Sequence, residues 1–424
     1  MKTTRVVAGV GAAILVGIAT VLLLFVRSKM DGELYRAVAT SRTDSGEAIA
    51  RGEYLAAAGN CVSCHSRSGG APFSGGRPFT TAFGTIYSSN ITPDVETGIG
   101  KWTMTDLRRA MFEGIAAGGY RLFPAFPYPS FTKVSPRDVD AIYAYLRTLT
   151  PVRYSPPANG IVFRQRWGLS LWNALFFKAG RFEPDSRQSA EWNRGAYLVE
   201  GLGHCGACHS PRNAFMAEIS SEAYAGGQLQ AAVTAGVTRR WSGVNLTTAK
   251  TGLAAWSLRQ LEQYLKSGFS MRAGAFGPMN EVIVNSLRNL RDEDIHAIAS
   301  YLKSLPPKGT SHANVAADAA RTGAAIYKEH CEECHLVSGR GGMLSGPPLA
   351  GSAVVQADDP ASLINTILYG PEAPKEISFG FWETMKFYND VLTDADIASI
   401  CNFMRSSWGN AAPAVTARDA AGQR

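Results

Sequence analysis

The sequence predicts an all-α protein: three consecutive small helical domains with Gly/Pro-rich loops, preceded by one N-terminal transmembrane helix. Three observations carry this expectation. The pattern Cys-x-x-Cys-His occurs three times, with first cysteines at Cys61, Cys205 and Cys331, an interval that suits one small domain per copy. Each copy is led by a similar helical segment and followed, at a distance, by a second. The first 30 residues hold a long uncharged apolar run. A chain of 424 residues with 46% hydrophobic content is ample for about three cores.

The elements follow in order. Lys2 and Arg5 precede the apolar run at residues 6–26. That length is enough to span a bilayer as a helix, which takes about 20 residues. A removable signal would have a shorter apolar stretch and a small-x-small site directly after it. Here Arg27-Ser28-Lys29-Met30-Asp31 follows. Residues 1–30 are therefore expected to be an uncleaved anchor. Charge alone does not orient it, because Arg27 and Lys29 flank the far end.

Domains are expected at 45–150, 191–307 and 316–410, with a linker at 151–190 and a mobile tail at 411–424. Arg51-Gly52-Glu53-Tyr54-Leu55 leads into the first motif and Arg194-Gly195-Ala196-Tyr197-Leu198 into the second. A looser copy runs from Arg321 to Tyr327. The units end alike too, in helical runs beginning near Ser135, Arg291 and Thr393. Ser135 and Thr393 are plausible N-caps, with acidic residues in the first turn complementing the helix dipole. The Gly/Pro-rich loops between, such as 66–84 and 339–351, read as irregular rather than β. In the linker, Trp167, Leu171 and Leu175 fall on one helical stripe, amid Phe163, Trp172, Phe176, Phe177 and Phe182 and the basic Arg164, Arg166, Lys178 and Arg181. Inter-domain packing is the plain account of it; a membrane or partner surface is the other.

The motifs are Cys61-Val62-Ser63-Cys64-His65, Cys205-Gly206-Ala207-Cys208-His209 and Cys331-Glu332-Glu333-Cys334-His335. This pentapeptide is the attachment signal for c-type haem: two thiols add to the porphyrin vinyls and the next residue places an imidazole under the iron. A zinc half-site would bring a second ligand pair at fixed distance, and a dithiol redox motif would sit near a βαβ pattern, which is missing. Three covalently bound haem c groups are therefore expected, through Cys61, Cys64, Cys205, Cys208, Cys331 and Cys334. Attachment takes place outside the cytoplasm, which orients the anchor and puts the body at the periplasmic face of a bacterial inner membrane. Cys401 is left over in an apolar helical run and reads as an inert core thiol. A leading helix crossing a closing helix over the haem is the c-type cytochrome plan.

His65, His209 and His335 are the expected proximal ligands. An electron carrier usually adds Met, which raises the potential. Met279, in Phe276-Gly277-Pro278-Met279, and Met385 lie where a distal loop belongs; Met343 follows its motif too closely. The first domain has Phe123-Pro124-Ala125-Phe126-Pro127-Tyr128 there, with no Met, and Met104 and Met111 upstream. Its haem is either five-coordinate or takes one of these two; Met111 has a core explanation.

From about Gly52 to Gly409 the chain resembles the triheme cytochrome c subunits of bacterial membrane-bound dehydrogenases. The resemblance rests on Asn90-Ile91-Thr92-Pro93-Asp94, Thr97-Gly98-Ile99-Gly100-Lys101-Trp102, the run from Arg194 to Cys205, Phe276-Gly277-Pro278-Met279, and Arg405-Ser406-Ser407-Trp408-Gly409-Asn410. In the alcohol dehydrogenase cytochromes of this family a Tyr-Pro-Ala-Met-Pro-Tyr segment supplies the first haem's Met. Phe126 stands in that place, as in cytochromes accompanying molybdenum hydroxylases of aldehydes or N-heterocycles.

The expected function is electron transfer from a dehydrogenase catalytic subunit (quinoprotein, flavoprotein or molybdenum hydroxylase) to ubiquinone or another respiratory acceptor. The sequence shows no dinucleotide fingerprint, nucleophile elbow or phosphate loop, so the redox chemistry belongs to the cofactors. The alternatives are a peroxidase-like enzyme using an open first haem, and an anchored carrier to an oxidase without a dehydrogenase partner. A net charge of +7 without a long Lys/Arg run gives nucleic-acid binding little support.

Overall fold

The computed structural model describes residues 45–161, 167–234, 237–309 and 317–424. The expected anchor at 6–26 lies outside them, and no helix among the described residues is long and apolar enough to cross a membrane.

One packing unit recurs three times. A leading helix crosses a closing helix: Gly46–Ala58 over Pro136–Leu146, Ala190–Tyr197 over Asp292–Ser304, and Ala317–His330 over Asp394–Ser406. A glycine sits at each crossing. A β-carbon on Gly52 would overlap the Ala141 carbonyl and come within 2.8 Å of Tyr145 Cβ; Gly195 meets Ala297 and Tyr301, and Gly323 meets Ser399 and Phe403, in the same way. The helices approach so closely because nothing projects between their backbones. Ser135 Oγ accepts from Asp138 N at 3.2 Å, and Thr393 forms a reciprocal capping box with Asp396, so both expected caps are present.

Cys61 follows Gly52 by nine residues, Cys205 follows Gly195 by ten and Cys331 follows Gly323 by eight. In the second unit the leading helix continues as a π-type turn, Leu198–Leu202, directly before its motif. A widened turn accommodates an extra residue without breaking the helix.

Helices are the main regular structure among the described residues, but the loops are not all irregular as expected. Pro78–Thr81, Gly84–Tyr87 and Gly160–Ile161 form a three-stranded antiparallel sheet, Gly227–Thr234 pairs with Val237–Gly243, and Phe269–Ser270 pairs with Ala273–Gly274. Gly-rich composition hid short β-branched and aromatic stretches such as Thr85-Ile86-Tyr87, whose backbone groups find partners in a hairpin.

The tail also departs from expectation. Instead of being mobile, it folds back as a capped helix, Ala417–Ala421, with Ala420 fully buried. Asn402, on the closing helix, both donates to Val415 O (2.9 Å) and accepts from Val415 N (2.7 Å). Arg405, wholly buried, donates to the carbonyls of Pro413 and Val355. Polar side chains of the third core thus bind the tail's backbone, a signal that Ala-rich composition cannot carry.

The linker helix Trp167–Phe176 does pack between units, but not through its leucines: Leu171 and Leu175 are 57% and 65% exposed. Its other side does the packing. Trp172 and Phe177 meet Tyr128, whose hydroxyl donates to Asn173 at 2.5 Å, and Phe176 stacks on Phe215 at 5.6 Å.

Candidate functional site

Each leading helix delivers its motif as a single turn. The amide of the motif histidine bonds to the carbonyl of the first cysteine at 3.0 Å in all three cases: His65 to Cys61, His209 to Cys205 and His335 to Cys331. Two sulfurs and one imidazole are therefore fixed on one turn of backbone.

The three imidazoles are held alike. Nδ1 lies 2.7 Å from Ser89 O in His65, 2.7 Å from Val244 O in His209 and 2.9 Å from Pro347 O in His335. A carbonyl only accepts, so Nδ1 carries the proton and Nε2 keeps its lone pair. Desolvation lowers all three imidazoles below the ordinary histidine range, against the opposing pull of those carbonyls. A neutral ring with a fixed tautomer and a free Nε2 is what an iron ligand needs.

Sequence reading missed the carbonyls, though two of them carried a signal. Ser89 and Val244 directly precede Asn90-Ile91-Thr92 and Asn245-Leu246-Thr247. In each, the Asn side chain accepts from the Thr amide, at 3.0 and 2.8 Å. It also donates across the unit, Asn90 to Val152 O and Asn245 to Lys308 O. The repeated Asn-x-Thr pins the loop that presents the carbonyl.

The paired thiols are free rather than joined as disulfides. Burial pushes Cys61, Cys205 and Cys331 up to about 12 and Cys208 to about 11. Reactive redox cysteines are shifted the other way. Buried Cys401, also pushed up to about 12 by burial, matches the inert role expected of it.

The chain's donors fit a porphyrin. Besides the thiols and imidazoles, Trp241 is 3% exposed and its Nε1 has no hydrogen-bond partner. An orphaned buried N–H is costly, and a porphyrin carboxylate is a group that would satisfy it. Trp241 lies on the hairpin that follows the second motif and packs on Phe276, ring centroids 6.1 Å apart, and on Gly277. Through it, the segment bearing Met279 is brought to the second motif. Met279 itself is the second residue of the helix Pro278–Asn285 and packs against Ala275, Ile283 and Ile377.

In the third unit, Met385 packs on the hydrophobic core, and Tyr388, three residues on, donates from its hydroxyl to His330 O at 2.8 Å, directly before Cys331. Met343 is 68% exposed. In the first unit, Phe126 packs on Phe131 at 5.3 Å. Met111 is buried in the helix Met104–Glu113, and Met104 is half-buried at that helix's first residue.

Crossed helices with an attachment turn and a carbonyl-held histidine define c-type cytochrome units. Residues 49–150 match the family described as cytochrome c, and residues 318–404 match that described as cytochrome C oxidase, cbb3-type, subunit III. The chain is 40% identical over 397 residues to the gluconate 2-dehydrogenase cytochrome c subunit of Pantoea cypripedii, covering 89% of each protein. It is 38% identical to the alcohol dehydrogenase (quinone) cytochrome c subunit of Gluconobacter oxydans, over 87% of this chain and 80% of that one. It is 41% identical to a nicotinate dehydrogenase subunit of Pseudomonas putida, over 87% of this chain but only 31% of that longer protein. The chain belongs to the family of dehydrogenase-associated cytochrome c subunits.

Proposed function

We propose that this chain is a three-haem electron-transfer subunit at the periplasmic face of a bacterial inner membrane, taking electrons from a dehydrogenase and delivering them to ubiquinone or another respiratory acceptor. The observation that supports this most is the threefold repetition of one geometry, in which a Cys-x-x-Cys turn is paired with a neutral, carbonyl-held histidine. Bound haem supplies one-electron redox chemistry, at a potential tuned by its axial ligands and surroundings. The chain's part is to attach, orient and insulate. Cys61, Cys64, Cys205, Cys208, Cys331 and Cys334 would hold the porphyrins; His65, His209 and His335 would be the proximal ligands, and Met279 and Met385 the distal ligands of the second and third. Phe126 has no donor atom, Met111 has a packing role, and Met104 stands at the first residue of its helix close to Trp102, so the first site would stand open or weakly ligated.

This axial set makes a measurable pattern. Met279→Ala and Met385→Ala should each remove one Met–iron charge-transfer contribution and lower the potential of one haem. Met343→Ala should change neither. Phe126→Met should convert the first site to low-spin His/Met ligation. A full set of three Met–iron signatures in the unaltered protein would show that Met104 or Met111 serves the first site.

Phe126 also bears on the partner. Phe at this place resembles the cytochromes that accompany molybdenum hydroxylases, and the similarity to a nicotinate dehydrogenase subunit accords with a partner acting on an N-heterocycle. Affinity isolation of the native complex from membranes, with cofactor analysis of the largest co-purifying subunit, tests this. Molybdenum is the expected result. A pyrroloquinoline or flavin cofactor would reassign the partner, and a complex without any dehydrogenase would overturn the function.

A further inference from the structure

The leading and closing helices of the first two units exchange side chains. Asp138 and Asp294 occupy equivalent places near the starts of their closing helices, and both are buried. Each is held by the arginine of its own unit. Arg51 Nε reaches Asp138 Oδ1 at 2.8 Å, and Arg194 Nε reaches Asp294 Oδ1 at 2.7 Å. Each also takes a tyrosine hydroxyl from the other unit. Tyr54 donates to Asp294 Oδ2 at 2.5 Å, and Tyr197 donates to Asp138 Oδ2 at 2.5 Å. The hydroxyls then accept from equivalent backbone amides: Tyr54 from Arg291 N at 3.2 Å, Tyr197 from Ser135 N at 3.0 Å. Reciprocal contacts between equivalent residues are the mark of an isologous interface, here between two units of one chain.

The same interface joins the attachment turns. Asn285, at the end of the helix that carries Met279, donates to Ser63 Oγ inside the first motif at 2.8 Å. Arg77 bridges Ser63 O (2.8 Å) and Glu281 of that same helix (2.5 Å). In return Phe131, of the first unit, packs edge-on against His204, beside Cys205.

We propose that Tyr54 and Tyr197 are positioning residues, whose reciprocal bonds set the separation of the first two haem sites and hence the rate of electron exchange between them. This rests on the electron-transfer reading above. Interfaces between domains permit relative motion by default, and short hydrogen bonds to buried carboxylates are the strong kind that opposes it. The third unit has no part in this clamp: by the register of the crossing glycines, Thr322 and Ala325 stand where the arginine and tyrosine would be, and Asp396 caps its own helix with Thr393.

The test uses the full haem-loaded chain. Tyr54→Phe with Tyr197→Phe leaves both carboxylates paired to arginine, so the units should fold and keep their haems. Two quantities are read: the magnetic interaction between the ferric haems by electron paramagnetic resonance, and electron redistribution after flash reduction. The double variant should show a weakened interaction and severalfold slower redistribution, and each single variant a part of both effects. Tyr143→Phe, which loses a hydroxyl bond to Trp102 O inside the first unit (2.8 Å), should match the unaltered protein. Unchanged magnetic interaction and rate in a fully loaded double variant, or an equal effect of Tyr143→Phe, would overturn the proposal. Should the double variant lose haem, the two single variants decide by the same readings. Absence of any redistribution in the unaltered protein would overturn the electron-transfer reading instead, and the magnetic interaction would still judge the clamp.

Discussion

Gly52→Ala should cost the first unit at least about 3 kcal/mol, at or beyond the upper end of ordinary overpacking, and the equivalent changes at Gly195 and Gly323 should do the same to theirs. The new β-carbon would meet main chain, the Ala141 carbonyl, which no rotamer change can move aside. Relief requires the leading and closing helices to separate, and that exposes what the crossing buries. Leu55 and Ala56 on one helix and Val139, Ala141 and Ile142 on the other are all within 3% of full burial. Such a loss is a large part of the roughly 5–15 kcal/mol that typically holds a domain together. Gly46 is the matched control: it lies in the same helix with nothing within 4 Å of where a β-carbon would stand, so Gly46→Ala should stay within about 0.5 kcal/mol of the unaltered protein. Denaturant unfolding of the exported proteins checks both. Equal stability of Gly52→Ala and Gly46→Ala would mean that the helices do not cross as closely as described.

Exported protein from a host competent in cytochrome maturation should carry three haem additions by mass spectrometry. Replacing Cys205 and Cys208 together with alanine should remove one addition and no more from chains that remain folded. The effect on stability should be the largest among such pairs, because the second unit touches both others. Its leading helix exchanges tyrosines with the first unit, and its hairpin meets the third, where Ser242 and Ser362 bond to each other. Without porphyrin, Trp241 Nε1 would stay buried and unpaired. Two or fewer additions on the unaltered chain, with free motif thiols, would sink the three-haem reading.

How much of this was legible beforehand differs by element, for physical reasons. The attachment turns were fully legible, because their chemistry lies within five consecutive residues. So were the caps at Ser135 and Thr393, which act over three residues. The family was legible as well: relatives align along nearly the whole chain, as the quoted motifs implied. The hairpins were misjudged, since pairing depends on a partner strand and the local composition is that of a loop. The tail was misjudged for a related reason: its order comes from Asn402 and Arg405, on another helix.

The motifs, their number and the cofactor class they imply were thus legible in the sequence alone, because covalent attachment needs its residues adjacent in the chain. The tertiary structure alone decided which carbonyl fixes each histidine's tautomer, which side of the linker helix packs, and that Tyr54 and Tyr197 reach across to each other's units. Tyr54 and Asp294 are 240 residues apart, and no periodicity or spacing couples such positions. Each tyrosine meets a carboxylate on the closing helix of the other unit, a pairing that only the packing of the first unit against the second creates.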